Sequence, residues 1–357
     1  MNIGQIFQKT RKIVPLEGKT GNRQIDKILE GIVGIYKTVF PKRIRGYYLL
    51  GSHANGTALE RSDIDLVIRF KGHFQNADEV RKSRKLYSYC FRMSPIELHF
   101  YLYDEATLFR SDSDFDPLDN FSAKVSCHCA SIKMGTLLVY GEDFRDQLPT
   151  PSVDRYMCGR LHDIGFQWAT HRDSKQPLIF PLDYPNPNAE FYGYVGDPRG
   201  ENLHDFVLHV GFLAVVLIIL KAGRFVGYKT DTPKIYAECI NDEWMPLVEA
   251  VFEKGRNWWN HRVPDNQEDR KQLREICQQT LAFENHSATV LKDYLLTQLQ
   301  SDEPTYQLMA AHWLGYLIFP DSFVLSALRA VENHESERVR TKVKETQRKI
   351  QTVLAST

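Results

Sequence analysis

The chain has 357 residues, 43% of them hydrophobic, which is enough to form two or three domains with a sizeable core. Its 45 lysines and arginines equal its 45 aspartates and glutamates, and this balance argues against a dedicated nucleic-acid-binding protein, which would be basic. The six cysteines are scattered along the chain, which argues against a disulfide framework and predicts buried free thiols.

The N-terminal part of the sequence predicts an α/β unit with a small mixed sheet. Its first residues contain no apolar signal segment, so we expect a cytoplasmic protein. Apolar residues recur at helical spacing from residue 24 to 40, and Pro41 ends this helix. A basic surface helix is predicted at residues 81–87. Apolar runs predict strands at residues 47–50, 66–70, 96–102 and 136–140.

Two short motifs in this unit point to metal and phosphate chemistry. Gly51 and Ser52 follow the first predicted strand, and an Asp63-x-Asp65 motif opens the second. Side chains two apart in a strand share a face, so Asp63 and Asp65 point to one place and repel each other unless a cation lies between them. Magnesium suits such a site, because it is usually held by one or two carboxylates together with substrate phosphates.

The Gly-Ser turn supplies the other half of the predicted site. Gly51 allows the backbone to approach a ligand closely, and Ser52 offers a hydroxyl that can also cap the helix that follows. Backbone amides at a helix start form a phosphate site. A phosphate cradle beside metal-binding carboxylates predicts a nucleoside triphosphate substrate and phosphoryl or nucleotidyl transfer.

A third acidic residue, Glu97, lies in the third predicted strand. Alternation along residues 96–100 places Glu97 and His99 on one face. That face either meets Asp63 and Asp65, which makes Glu97 the third carboxylate of the site, or it faces solvent, which makes the pair an ordinary exposed couple. We adopt the first interpretation as the hypothesis.

These motifs together resemble the DNA-polymerase-β-type nucleotidyltransferase superfamily, and within it the aminoglycoside-type adenylyltransferases. The resemblance covers roughly residues 25–145. It implies that Asp63 and Asp65 bind two Mg²⁺ ions and that Glu97 binds the second ion and helps to deprotonate the acceptor. It also implies that the Gly51-Ser52 turn holds the phosphates of ATP or another nucleoside triphosphate. Many relatives have aspartate where this chain has Glu97.

Beyond Pro149-Thr150-Pro151 the pattern becomes helical, which predicts an all-α C-terminal half. We expect a nucleotidyltransferase domain at 1–150, a helical domain that closes over the nucleotide at 151–286 and a tail at 287–357. A long loop at 181–200 contains aromatic residues that either line a substrate pocket or pack locally. These residues are Tyr184, Phe191, Tyr192 and Tyr194.

An apolar segment at residues 206–220 is too short to span a bilayer, which needs about 20 residues, so it predicts a buried helix and no membrane partner. The cationic segment after it resembles the adenylyltransferase region in which a lysine of the helical domain reaches the triphosphate. Lys229 is the first candidate for that role, followed by Lys234 and Arg224. The alternative is a solvated basic turn after a helix.

The tail at residues 287–357 shows two predicted helix pairs, each with an acidic turn between its members. This arrangement resembles HEAT-type repeats, which stack and offer a surface for a protein partner.

The resemblances imply a metal-dependent enzyme that moves a nucleoside monophosphate, AMP from ATP in the first instance, to a hydroxyl of an aminoglycoside-like small molecule. One alternative is transfer to a protein or RNA acceptor that the HEAT-like tail recruits. Another is a non-catalytic binding module, against which the three carboxylates Asp63, Asp65 and Glu97 argue.

Overall fold

The computed structural model describes residues 14–110, 115–172, 177–195 and 203–356. The chain divides into two compact units. The first unit contains the described residues up to 110 together with His128–Pro151 and Val226–Asp231, and the second contains Phe115–Cys127, Ser152–Phe225 and the remainder from Thr232. One change of unit therefore falls at the predicted boundary near residue 150. The segment 226–231, which the sequence placed in the helical half, belongs to the first unit.

The first unit is an α/β structure, as the sequence predicted. Its elements are α1 (Arg23–Val39), β1 (Ile44–Leu50), α2 (Ser52–Asn55), β2 (Ile64–Phe70), α3 (Ala77–Met93), β3 (Leu98–Asp104), α4 (Glu105–Leu108), the C-terminal part of α5 (Asn120–Met134), β4 (Thr136–Gly141) and the 3₁₀ turns Arg145–Gln147 and Lys229–Asp231. The strands form a mixed sheet in the order β3-β2-β1-β4. Strand β1 is antiparallel to both of its neighbours, whereas β2 and β3 are parallel.

Helix α1 covers one face of this sheet. The side chain of Asn22 caps its start by accepting hydrogen bonds from the amides of Gln24 and Ile25, and its apolar residues form the core with inward-facing strand residues. Because strand side chains alternate, the opposite face of the sheet carries a different set of residues. That second face holds the predicted site residues.

Strand β3 begins at Leu98, two residues later than predicted, so Glu97 precedes the regular strand. Its backbone nevertheless continues the pairing, because the Glu97 carbonyl accepts a hydrogen bond of 2.9 Å from the Ile64 amide. The backbone of Glu97 is therefore held at the N-terminal end of the β2–β3 pair.

The second unit is mostly helical, with one short pair of parallel strands that the all-α prediction did not include. Its elements are the N-terminal part of α5, α6 (Val153–His171), β5 (Leu178–Ile179), α7 (His204–Ala222), α8 (Thr232–Cys239), α9 (Met245–Ala250), a π-helix (Val251–Trp258), α10 (Gln267–Leu299), α11 (Pro304–Leu314), β6 (Leu317–Ile318), α12 (Ser322–Ala330) and α13 (Glu337–Ser356). All six cysteines of the chain are free thiols, and Cys127 and Cys129 are buried as predicted.

Helix α7 contains the predicted apolar segment. Within the described part of the chain, it is the one helix long and apolar enough to cross a membrane, and 67% of its apolar window is buried inside the protein. Helices α6 and α9 and the π-helix are among the elements that pack against it. This burial is what a core helix shows.

The predicted boundary between residues 286 and 287 falls inside α10, which is continuous from Gln267 to Leu299. No break in the chain separates the tail there. The predicted helix pairs are present, with α10 and α11 joined by residues 300–303 and α12 and α13 joined by residues 331–336. Their assignment to HEAT-type repeats stays a prediction.

A buried charge network ties the long loop to the helices of the second unit. Glu284 of α10 is fully buried and accepts two hydrogen bonds from Arg172, of 2.8 and 2.7 Å, one from the Tyr194 hydroxyl and one contact of 2.7 Å from His209 of α7. Burial alone raises the pKa of Glu284, but the hydrogen bonds and charges of His209 and Arg172 lower it to about 2.

The loop aromatics divide between the interior and the surface. Phe191 and Tyr194 are buried, and the rings of Tyr184 and Tyr192 stack on each other at 4.4 Å. These contacts favour local packing over a substrate pocket for the described part of the loop. Residues 196–200 of the loop lie outside the described residues.

Candidate active site

Two neighbouring strands, β2 and β3, bring the predicted acidic residues together on one face of the sheet beside the end of β1. The register places Leu50 of β1 opposite Asp65 of β2, and Asp65 opposite His99 of β3. Asp63 and Glu97 lie two residues earlier on their strands, so they share the same face one step nearer the edge.

His99 stands between two of the carboxylates. Its Nε2 lies 3.3 Å from Oδ2 of Asp63 and 3.4 Å from Oε1 of Glu97. All three side chains reach solvent, with exposed fractions of 42% for Asp63, 43% for His99 and 64% for Glu97. Glu97 thus belongs to the same cluster as the Asp-x-Asp motif, and an imidazole links it to Asp63.

Asp65 is the inner carboxylate, and its pKa is shifted by its surroundings. Burial raises its pKa above the usual value for aspartate, and the negative charge of Asp63 raises it further. Lys229, His99 and a hydrogen bond from Tyr101 act in the opposite direction without cancelling this shift. Asp65 is therefore harder to ionise than an ordinary aspartate, first because it is buried and second because it lies near Asp63.

The Gly-Ser turn lies directly beside Asp65. Gly51 has φ 69° and ψ −154°, a conformation essentially restricted to glycine, and a Cβ at this position would lie 3.1 Å from Oδ2 of Asp65. Ser52 begins α2, which is a single turn of four residues that ends at Asn55 and is followed by Gly56 as its C-cap. A helix this short has little dipole, so the groups that this turn offers to a ligand are its individual amides and the Ser52 hydroxyl.

Lys229 lies in the first unit with the carboxylates, and its positive charge lowers the pKa of Asp65. The Asn55 amide donates a hydrogen bond of 2.9 Å to the hydroxyl of Thr230, the next residue along the chain. The segment also approaches the start of β4, where a Cβ on Gly135 would lie 2.3 Å from the carbonyl oxygen of Gly227.

The other two predicted cations belong to the second unit. Arg224 is exposed, and its Nη1 lies 2.7 Å from Oε2 of Glu238. Lys234 is exposed on α8. Of the three candidates, Lys229 alone shares a unit with the carboxylates.

Arg69 is the cation nearest to Asp65 along β2, but its side chain is paired with Glu105 and does not serve the acidic cluster. It is 2% exposed, its Nη2 lies 3.0 Å from Glu105, and its guanidinium stacks 3.3 Å from the centre of the Phe144 ring. Lys229 is therefore a better candidate than Arg69 for the positive charge that would meet a bound phosphate in this unit.

The donor set fits magnesium at the two aspartates. Across the described ranges, no group of three or more His, Cys, Asp and Glu side chains is preformed as a metal site. Asp63 and Asp65 nevertheless present oxygen ligands on one face, and burial together with the charge of Asp63 makes the ionised form of Asp65 unfavourable, which a divalent cation would offset. Glu97 does not join them directly, because His99 lies between Glu97 and Asp63.

The structure adds Tyr101 and Asn55 to the residues that the sequence singled out. Tyr101 follows His99 by two positions and Glu97 by four, so the alternation along β3 already placed it on the same face. Asn55 is three residues beyond Ser52 in a turn rich in small polar residues, and no local pattern identified its distant partner.

Comparison with known proteins supports the assignment of the first unit. Residues 29–116 match the family model of the nucleotidyltransferase domain. The comparison with curated proteins finds no match. Among solved structures, the spectinomycin adenyltransferase of Enterococcus faecialis, crystallised with ATP and spectinomycin, aligns over 71% of this chain and 98% of its own, with 9% identity and a TM-score of 0.42. The matched range contains the Gly-Ser turn and all three acidic residues, so residues 29–116 are a nucleotidyltransferase domain and the chain is a nucleotidyltransferase enzyme.

Proposed function

We propose that this enzyme transfers a nucleoside monophosphate from a nucleoside triphosphate, with ATP as the first candidate donor, to a hydroxyl group of a small molecule. The observation that carries the proposal is the shared face of Asp63 and Asp65 beside the Gly51 turn, with the charge of Lys229 acting on Asp65. This arrangement pairs oxygen ligands for a cation with amides and an ammonium group for phosphates.

In the proposed reaction, the acceptor oxygen attacks the α-phosphorus and the bond between this phosphorus and the bridging oxygen of the β-phosphate breaks. Asp63 and Asp65 would hold magnesium, which would supply charge stabilisation for this transfer. The amides and hydroxyl at Ser52 hold the β- and γ-phosphates, and Lys229 offsets the charge of the departing pyrophosphate.

Glu97 takes the proton of the acceptor hydroxyl in this scheme. Its carboxylate is 64% exposed at the open edge of the site, where an acceptor can reach it, and His99 restrains it from one side. A base placed in this way typically contributes a factor of about 10² to 10⁴ in rate. The role of Glu97 as a ligand of a second magnesium ion remains part of the same proposal.

A small-molecule acceptor with several hydroxyl groups, similar to an aminoglycoside, is our first proposal. The equal numbers of acidic and basic residues give no general attraction for a nucleic acid. The resemblance of the motifs to aminoglycoside-type adenylyltransferases supports the same choice.

The test is a transfer assay with nucleoside triphosphates labelled at the α-phosphate, in magnesium, against panels of aminoglycosides, RNA and proteins. We expect the label to move to a small-molecule acceptor with release of unlabelled pyrophosphate. Asp63→Asn is the inactive comparison, because it removes a metal ligand and keeps the size of the side chain. Movement of a γ-phosphate label instead would identify a kinase and refute nucleotidyl transfer.

The acceptor panel also separates the alternatives. Labelling of RNA that weakens steeply with salt, or labelling of a protein, would replace the small-molecule proposal.

A further inference from the structure

We propose that the hydrogen bond between Asn55 and Thr230 is a positioning device that holds Lys229 against the triphosphate-binding turn. This inference rests on the proposed function, because it assigns to Asn55 and Thr230 the task of placing the ammonium group that meets the β- and γ-phosphates. Neither residue touches the reacting atoms in this scheme.

The Asn55 side chain is held in one orientation by hydrogen bonds at both of its ends. Its oxygen accepts from the amide of Thr57 at 3.2 Å and from the hydroxyl of Thr57 at 2.6 Å. Its nitrogen is thereby directed outward and donates to the Thr230 hydroxyl at 2.9 Å. A side chain whose amide is fixed in this way places its bonding partner with little freedom.

Asn55 also links two parts of the site that are far apart in the sequence. It is the last residue of α2, the single turn that begins at Ser52, and Thr230 directly follows Lys229. One hydrogen bond therefore connects the phosphate-binding turn with the residue next to the predicted cation.

A second anchor lies at the other end of the same segment. A Cβ on Gly135 would lie 2.3 Å from the carbonyl oxygen of Gly227, and a Cβ on Gly227 would lie 3.0 Å from the carbonyl oxygen of Met134. The backbones of these two glycines are thus in direct contact, which only the absence of side chains permits. Lys229 stands between this contact and the bond to Asn55.

The two anchors explain how an exposed lysine is kept near the inner carboxylate. The ammonium group ends a flexible side chain that loses much rotamer freedom when it is ordered. Fixing the backbone on both sides of Lys229 lowers the entropy that remains to be lost when its side chain meets a phosphate. Loss of either anchor should weaken binding of the β- and γ-phosphates specifically.

The experiment is calorimetric binding of α,β-methylene-ATP in magnesium, an analogue that cannot be cleaved at the scissile bond, beside binding of AMP. We expect Lys229→Ala to weaken analogue binding at least ~10-fold, as for loss of a charged contact, and Thr230→Val to weaken it ~3- to 10-fold. AMP binding should stay within twofold in both variants, because AMP lacks the β- and γ-phosphates. Thr230→Ser keeps the hydroxyl and should bind as the unaltered protein does.

Combination and control variants test whether the bond acts through the lysine. The double variant of Thr230→Val with Lys229→Ala should bind the analogue within twofold of Lys229→Ala alone, because no ammonium group remains for the hydrogen bond to position. Gly135→Ala, at the second anchor, should weaken analogue binding as Thr230→Val does. Thr38→Val is the matched control, since its hydroxyl bonds only within α1 to the Gly34 carbonyl at 2.8 Å.

The outcomes separate this inference from the function on which it rests. If Lys229→Ala binds the analogue normally, the proposed role of Lys229 fails, and the positioning role fails with it. If Lys229→Ala weakens binding and Thr230→Val does not, the positioning role alone is overturned. Additive losses in the double variant would also overturn it, because they would show that Thr230 acts independently of Lys229.

Discussion

Replacing Asp65 with asparagine should abolish activity and, without divalent metal, make the protein more stable. Burial and the charge of Asp63 raise the pKa of Asp65, so its ionised form is less favourable in the folded state than in the unfolded chain. A raised folded-state pKa in an acid means that stability is gained as the group is neutralised. Asparagine is neutral at every pH, and its oxygen can still accept the hydrogen bond from Tyr101.

The size of the gain follows from the strand geometry. Side chains two residues apart on a strand are separated by roughly 6.6 Å. Coulomb's law gives about 2.5 kcal/mol for two like charges at that distance with an effective dielectric constant of about 20. Because Asp63 is 42% exposed, solvent screening reduces the repulsion to about 1 kcal/mol. In a protein of this size that corresponds to a rise of roughly 1 °C in Tm.

Thermal unfolding with and without magnesium measures the effect. We expect Asp65→Asn to melt above the unaltered protein in a chelator, and magnesium to raise the Tm of the unaltered protein only. Activity should fall ~10²-fold or more, because metal stabilisation of the transition state is worth several kcal/mol. Asp78→Asn, at an acid 59% exposed on α3, is the control and should change neither property. A lower Tm for Asp65→Asn in the chelator would refute the repulsion argument, and a magnesium-dependent rise in that variant would refute the metal assignment.

Glu97→Gln should lower turnover ~10²- to 10⁴-fold with little change in nucleotide affinity, since a base assists proton transfer rather than phosphate binding; an equal loss of affinity in a nucleotide titration would contradict this role. Gly51→Ala should lose about 1–3 kcal/mol of stability and most activity, because its backbone conformation is strained for alanine and its Cβ would press on a site carboxylate. Gly56→Ala is the comparison in denaturant titrations and rate assays: it has φ 75° with open space around it, so it should lose stability and keep activity. The pKa of Glu284 is lowered to about 2 from an ordinary 4.5, so its contribution to stability is complete above pH 4.5 and should disappear as pH falls toward 2. Glu284→Gln should unfold about 3–5 kcal/mol more easily at neutral pH, because it leaves Arg172 buried without its counter-charge, and should show a flatter acid-unfolding profile by circular dichroism.

The central part of the site was predictable because its signals are local. Gly51 and the Asp63-x-Asp65 motif lie at strand ends, where the alternation of apolar residues fixes both the strand and the direction of its side chains. Glu97 was harder, since its face depends on the register between β2 and β3, and register is a property of the whole sheet.

Lys229 shows where sequence reasoning reaches its limit. Its charge and its glycine-containing turn marked it as a phosphate-binding candidate, but the sequence assigned it to the helical half. Its membership of the first unit depends on the contact between Gly135 and Gly227 and on the bond from Asn55, which join residues far apart in the chain. No periodicity or composition shift records such contacts.

The boundary predicted between residues 286 and 287 lies inside the continuous helix α10. Two polar residues, Glu284 and Ser287, lie beside this position in α10. Both residues are buried, and Glu284 is compensated by Arg172 and His209 from other helices. A buried polar residue with distant partners looks, in sequence, like an exposed one.

Because residues 226–231 belong to the first unit, the ribosome synthesises the last part of that unit after much of the second unit. Domains generally fold N-terminal first during synthesis, at roughly 5–20 residues per second. Here the carboxylates and the Gly-Ser turn emerge early, but the segment that bears Lys229 follows Pro151 only after the first helices of the second unit have been translated. A first unit that folded as it emerged would present its acidic cluster without the lysine until residues 226–231 had been translated. The first unit is therefore completed after part of the second has emerged, and a fragment ended at residue 151 would be a truncated unit rather than an independent domain.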